Sequence, residues 1–194
     1  MKKNLTKSII LIIIMIMAIV TLTGCSALPK TSDGTAKDEL EGLTVVTADE
    51  DMEGYTKCEA MEGVEFYYPS NYKSVGKAEQ PMYMDPDILG ASVNIVSEKF
   101  PSAYTFEGYI EASIIGIKQQ MTIKDDEVKT EYINLNGRKA AKLSYVATSE
   151  DQTMTITQMA IVKDSKVYIL TVGGLEKDAE SIQPKMDKII KSFK

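Results

Sequence analysis

The sequence predicts an α+β fold, an antiparallel β-sheet flanked by helices. Three observations point there. Residues 128 to 172 hold four segments of alternating apolar and polar residues joined by turns too short for parallel crossovers. Thr105 to Met121, ahead of them, carries apolar residues at helical spacing, and a second such stripe closes the chain near Ser181 to Ser192. Helix, strands, helix on an antiparallel sheet is the α+β order, with helices covering at least one face. A length of 194 residues suits roughly one such domain.

In chain order, the first 24 residues read as an address rather than as fold. Met1 to Lys7 carries three lysines and no acid, followed by an unbroken apolar run from Ile9 to Val20. As a helix this run spans about 18 Å, against a bilayer core of about 30 Å. It therefore reads as the apolar region of a signal peptide, 1–24. Leu22-Thr23-Gly24-Cys25 then resembles a bacterial lipobox, an aliphatic residue and two small ones before a cysteine. The Cys25 thiol is the group that accepts a diacylglyceryl unit. Leu22, Thr23 and Gly24 form the cleavage motif, where small residues give a peptidase access to the backbone. Cleavage there removes three lysines and no acid, so the formal charge moves from −6 to −9. Such a body is held at a membrane by acyl chains and not by its own charge.

Residues 25–42 are polar and read as a flexible tether. Its seventeen residues after Cys25 have a root-mean-square span of roughly 20–25 Å. The globular domain is expected over 43–194. Leu43 to Thr47 is a short strand. Tyr55 to Glu59 and Val64 to Tyr68 form a hairpin that Pro69 ends, because proline has no N–H for a ladder. Ala91 to Val96 is a further strand. The helix at Thr105 to Met121 takes Thr105 as its N-cap and packs through Phe106, Ile110, Ile114, Ile117 and Met121. Strands follow at Val128 to Leu135, Arg138 to Thr148, Thr153 to Val162 and Lys166 to Val172. Asn136-Gly137 is a type I′ hairpin signal between the first two. Gly173-Gly174 is expected to break the sheet. The last helix has Ser181 as its cap, Pro184 in its first turn and Ile182, Met186, Ile189 and Phe193 as its buried stripe.

Several of these segments carry a resemblance. Phe66-Tyr67-Tyr68-Pro69-Ser70-Asn71-Tyr72, Asn136-Gly137-Arg138-Lys139-Ala140-Ala141 with Tyr145, Val167 to Thr171, and Ile189 to Phe193 together resemble the PsbP-like superfamily, including its DcrB-related bacterial lipoproteins. Tyr72 stands where tryptophan is usual. The resemblance spans roughly Val64 to Phe193 and implies an αβα sandwich used as a docking scaffold, without a shared enzymatic chemistry.

Composition excludes several functions. The chain has no His and no Trp, which removes His-based triads and His metal sites. A lone arginine, Arg138, and an acidic balance argue against nucleic-acid binding. With Cys25 acylated, Cys58 has no partner in the chain and reads as a small buried hydrophobe. Three acidic clusters, Asp49 to Glu53, Asp85 to Asp87 and Asp125 to Glu127, lack the spacing of a calcium loop and read as solvated turns. No cofactor and no metal is expected. Of the adjacent Tyr67 and Tyr68, strand alternation puts one in the core and one outside, and Met82, Tyr83 and Met84 nearby read as ordinary packing ahead of the alternative, an adaptable contact patch with the exposed tyrosine. The resulting expectation is a non-enzymatic binding or assembly module, lipid-anchored on the extracytoplasmic face of the cell membrane, with an envelope protein as partner. The alternatives are a small-ligand or ion carrier, or a hydrolase built on carboxylates.

Overall fold

Four hairpin-linked strands form the centre of the molecule, as the alternation requires. The computed structural model describes residues 37–59, 61–149 and 152–194. The central strands are β8 (Lys129–Leu135), β9 (Arg138–Ser149), β10 (Gln152–Lys163) and β11 (Lys166–Leu175), each antiparallel to the next. Asn136 (φ 52°) and Gly137 (φ 85°) make the expected tight turn in the left-handed region. Asp164 and Ser165 make an equivalent turn between β10 and β11 without glycine.

The sheet extends both ways from this meander. Beyond β11 come β6 (Ser92–Lys99), β5 (Met82–Met84) and the two-residue β4 (Lys73–Ser74), all antiparallel. At the other end β1 (Thr44–Val46) lies parallel to β8, and β7 (Thr122–Ile123) pairs with the far end of β9. The hairpin of β2 (Tyr55–Cys58) and β3 (Phe66–Pro69) is a separate two-stranded sheet. Pro69 is its last paired residue, opposite Tyr55. Lys37–Leu40, inside the expected tether, forms one turn of helix, α1.

Alternation sorts the side chains of the large sheet onto two faces. Ala140, Met159, Ile161, Leu170, Val93 and Ile95 face the closing helix α3 (Ala179–Lys191). Its residues Ile182, Met186 and Ile189, with Phe193 just beyond, are all buried there. On the other face Ala141, Leu143, Ala160, Val162 and Val167 meet Tyr109 and Ile110 of α2 (Phe106–Gln120). The result is the αβα sandwich, with a helix on each face.

Three expectations are corrected. Gly173 and Gly174 do not break the sheet but sit inside β11. A Cβ on Gly173 would stand 2.8 Å from the Thr155 carbonyl, and one on Gly174 would stand 2.5 Å from Ile182 Cδ1. The glycines are there for close approach of a neighbouring strand and of α3. The closing helix begins at Ala179, entered from a 3₁₀ turn at Glu176–Asp178, so Pro184 falls in its second turn. Ser181 does not cap it; its hydroxyl donates to the Asp178 carbonyl. Finally, α2 is capped as expected, Thr105 Oγ1 accepting from the Gly108 amide at 3.1 Å. Its stripe is shallower than the spacing implies: Ile110 is buried, Phe106, Ile114 and Ile117 are half-buried, and Ile115 is exposed.

Candidate binding cleft

The lipobox residues Leu22, Thr23, Gly24 and Cys25 lie outside the described residues. The other candidates are placed. Cys58 ends β2, buried, with its Sγ 3.5 Å from the Tyr83 hydroxyl. Tyr67 and Tyr68 are both half-buried, not one in and one out: the core positions of this strand are Phe66 and Pro69, and Tyr68 packs at the edge of the core. Tyr68 stacks on Tyr83 with centroids 3.8 Å apart, and Met82 is buried, so this group is mostly internal packing, the reading favoured over a contact patch.

Asp85 is not a solvated turn acid. Its side chain is 1% exposed and its Oδ2 accepts from Lys185 Nζ at 2.7 Å. Oδ1 accepts from the amides of Asp87 and Ile88 at 2.9 and 3.3 Å. Burial alone would raise its pKa, but the lysine and the two amides outweigh burial and hold the carboxyl below the usual carboxylate range. The pair ties α3 to the loop after β5. Asp125 and Asp126 both have positive φ, and Lys118 pairs with Asp126 at 3.0 Å. Among the described residues no three acids or cysteines converge as a metal-binding group.

A concavity forms where the strand ends meet the last residues of the fold. It holds about 540 Å³. Its floor is Val64, Leu135, Ile161 and Phe193, all buried. Its rim carries Lys57, Arg138, Lys163 and Lys194, with Glu59 and Glu65 between them. Glu65 pairs with both Lys57 and Lys194, the second at 3.3 Å. The hydrogen bond from Lys57 is the largest effect holding its pKa down. Lys163 donates to the Gly63 carbonyl, and Arg138 Nη1 donates to the Val162 carbonyl at 3.0 Å.

Asn136 fixes this end of the molecule. Its Nδ2 donates to the carbonyls of Lys191 and Phe193, both at 2.9 Å, and its Oδ1 accepts from the Ala48 amide at 2.8 Å. Its own amide donates to the Val46 carbonyl. One side chain in a hairpin turn therefore joins β1, the turn and the end of α3. The backbone of Glu65 exchanges two hydrogen bonds with Lys194, 2.8 and 3.0 Å, and the Tyr67 amide donates to Ser192 Oγ. Sequence reasoning takes Asn136 as a turn former and assigns its side chain nothing. A turn that accepts glycine or aspartate equally well carries no sign of a second task.

These features define a class: an α+β scaffold with a surface cleft that has a charged rim and a buried apolar floor. A PsbP family model matches residues 52–194, and the chain belongs to the PsbP family. Two solved structures share the fold. One is a Pseudomonas aeruginosa protein of unknown function, PA94, with a TM-score of 0.52 at 17% identity, covering 71% of this chain and 94% of that one. The other is cyanobacterial PsbP, CyanoP, from Synechocystis sp. PCC 6803, with a TM-score of 0.51 at 13% identity, covering 89% of this chain and 98% of that one. No curated protein matches the sequence.

Proposed function

We propose that this protein is a lipid-anchored binding or assembly module on the extracytoplasmic face of a bacterial membrane, acting without catalysis. The observation that carries the reading is the lipobox Leu22-Thr23-Gly24-Cys25 directly after a short apolar run and ahead of a PsbP-family domain. Diacylglyceryl on Cys25 supplies the anchor, since two acyl chains hold stably where one is marginal. Among the described residues no helix is long and apolar enough to cross a membrane. A non-catalytic role is supported by the state of the acids: Glu65, Glu107 and Asp85 are each tied to a lysine and held below their ordinary pKa. A carboxylate general acid needs a raised pKa near neutral pH. The partner is an envelope protein.

Two measurements test this. Replacing Cys25→Ser should leave an unprocessed precursor without acyl label, read by intact mass and palmitate labelling. A variant that still matures at the same mass and keeps the label would end the anchor reading. In-cell cross-linking should recover a protein partner from intact cells, and its consistent absence across growth conditions would end the assembly reading.

A further inference from the structure

We propose that the cleft above the Val64–Leu135–Ile161–Phe193 floor docks an acidic peptide segment of a partner, a carboxylate meeting Lys163 and Lys194 and the neighbouring residues filling the space between the rim and the floor. This rests on reading the protein as a binding module. Charge is the first argument. The whole chain is net acidic, at −6. The cleft lining nevertheless holds four cations against Glu59 and Glu65, and it stays net positive with an α-carboxylate on Lys194 counted. Glu65 is shared by two lysines, so that trio keeps one positive charge. Lys163 donates to a neutral carbonyl, which leaves its charge for an incoming anion.

Two other grooves among the described residues lack this sign. The one between β1 and α3, about 520 Å³, balances Glu131 and Asp187 with Lys142 and Lys191. The one beside Tyr145 balances Asp125 and Glu127 with Lys124 and Lys129. An acidic partner is therefore favoured at this cleft over those two grooves.

Size is the second argument. The floor residues are at most 7% exposed, and the space above them holds about 540 Å³. A bare phosphate or acetate would satisfy the lysines and leave most of that space empty, whereas a peptide brings a carboxylate and the neighbouring residues that fill it. The volume lies within the usual range for ligand sites, about 300–1,000 Å³.

The test uses the full chain in detergent micelles and a fluorescein-labelled hexapeptide of alternating glutamate and leucine, read by anisotropy at low salt. We expect saturable binding that Lys163→Glu weakens about tenfold and Lys163→Arg leaves within about twofold. Lys194→Glu, at an exposed position, should weaken it similarly and serves as the second variant if Lys163→Glu loosens the Gly63 loop. Equal binding of the glutamine-for-glutamate peptide would overturn the proposal, as would unchanged affinity in both variants. Displacement of the peptide by inorganic phosphate or acetate at equal concentration would do the same, since it would mark a pocket for bare anions. A cross-linked partner seated on another face would overturn this proposal and leave the assembly reading standing. Failure to recover any partner from cells would instead strike that reading, whatever the peptide does.

Discussion

The two faces of the sheet are built to different standards. Under α3 the packing is close: a Cβ on Gly174 would stand 2.5 Å from Ile182 Cδ1, and Ile182, Ile189 and Phe193 are at most 1% exposed. Under α2 the helix buries Tyr109, Ile110 and Gly116, while Ile114 and Ile117 remain half-buried. A polar row, Gln158, Thr171 and Asn94, crosses this face on three adjacent strands. It separates the apolar cluster around Ile110 from the one around Met154. The Tyr145 hydroxyl is buried there with no hydrogen-bond partner, and burial pushes its pKa up. Such a difference assigns most of the cohesion to the α3 face and makes α2 the element that opens first.

The sharpest way to break this comparison is a pair of truncations. Phe193→Ala should cost about 4 kcal/mol by urea unfolding and Ile114→Ala only about 1 kcal/mol. Equal costs would mean that the faces are equivalent. Next comes Asn136→Ala, which removes three side-chain hydrogen bonds and puts a Cβ-only residue at φ 52°. A loss of about 3 kcal/mol is expected. Asn136→Gly should recover about 1 kcal/mol of it, because only the backbone strain is relieved. If glycine recovered everything, the side chain would be idle.

Asp85→Asn tests the fastening of α3 by pH. The folded carboxyl has a lowered pKa, so its stabilisation is complete above the unfolded value of about 3.9 and fades as pH falls through the folded value. The variant should be about 2 kcal/mol weaker than the parent at pH 7. The gap should close below about pH 4. A gap independent of pH would assign the effect to shape and not to charge. The smallest effect belongs to the looser face. Tyr145→Phe deletes an unpartnered hydroxyl and should leave stability unchanged or raise it by up to about 1 kcal/mol. A clear loss would reveal a hydrogen bond from water and a tighter face than described.

Much of this architecture was legible in the residues, for identifiable reasons. The central meander follows from strict alternation and the Asn136-Gly137 turn, both local signals. What stayed hidden is non-local. β4, β5 and β7 are two or three residues long, too short to show a period, and they form because a neighbouring strand offers its edge. The parallel pairing of β1 to β8 joins residues almost ninety positions apart. Gly173-Gly174 looks like punctuation until the neighbouring strand is seen against Gly173 and α3 against Gly174. The cleft is assembled from four separate stretches, so no motif contains it. Asp85 and Lys185, 100 residues apart, could not be paired from spacing.

Phe193 is fully buried and the Lys194 backbone exchanges two hydrogen bonds with Glu65, so the segment that follows α3 closes the core at the same place where it walls the cleft. The two tasks share residues, and a change that loosens this segment alters the shape of the cleft together with the stability of the fold.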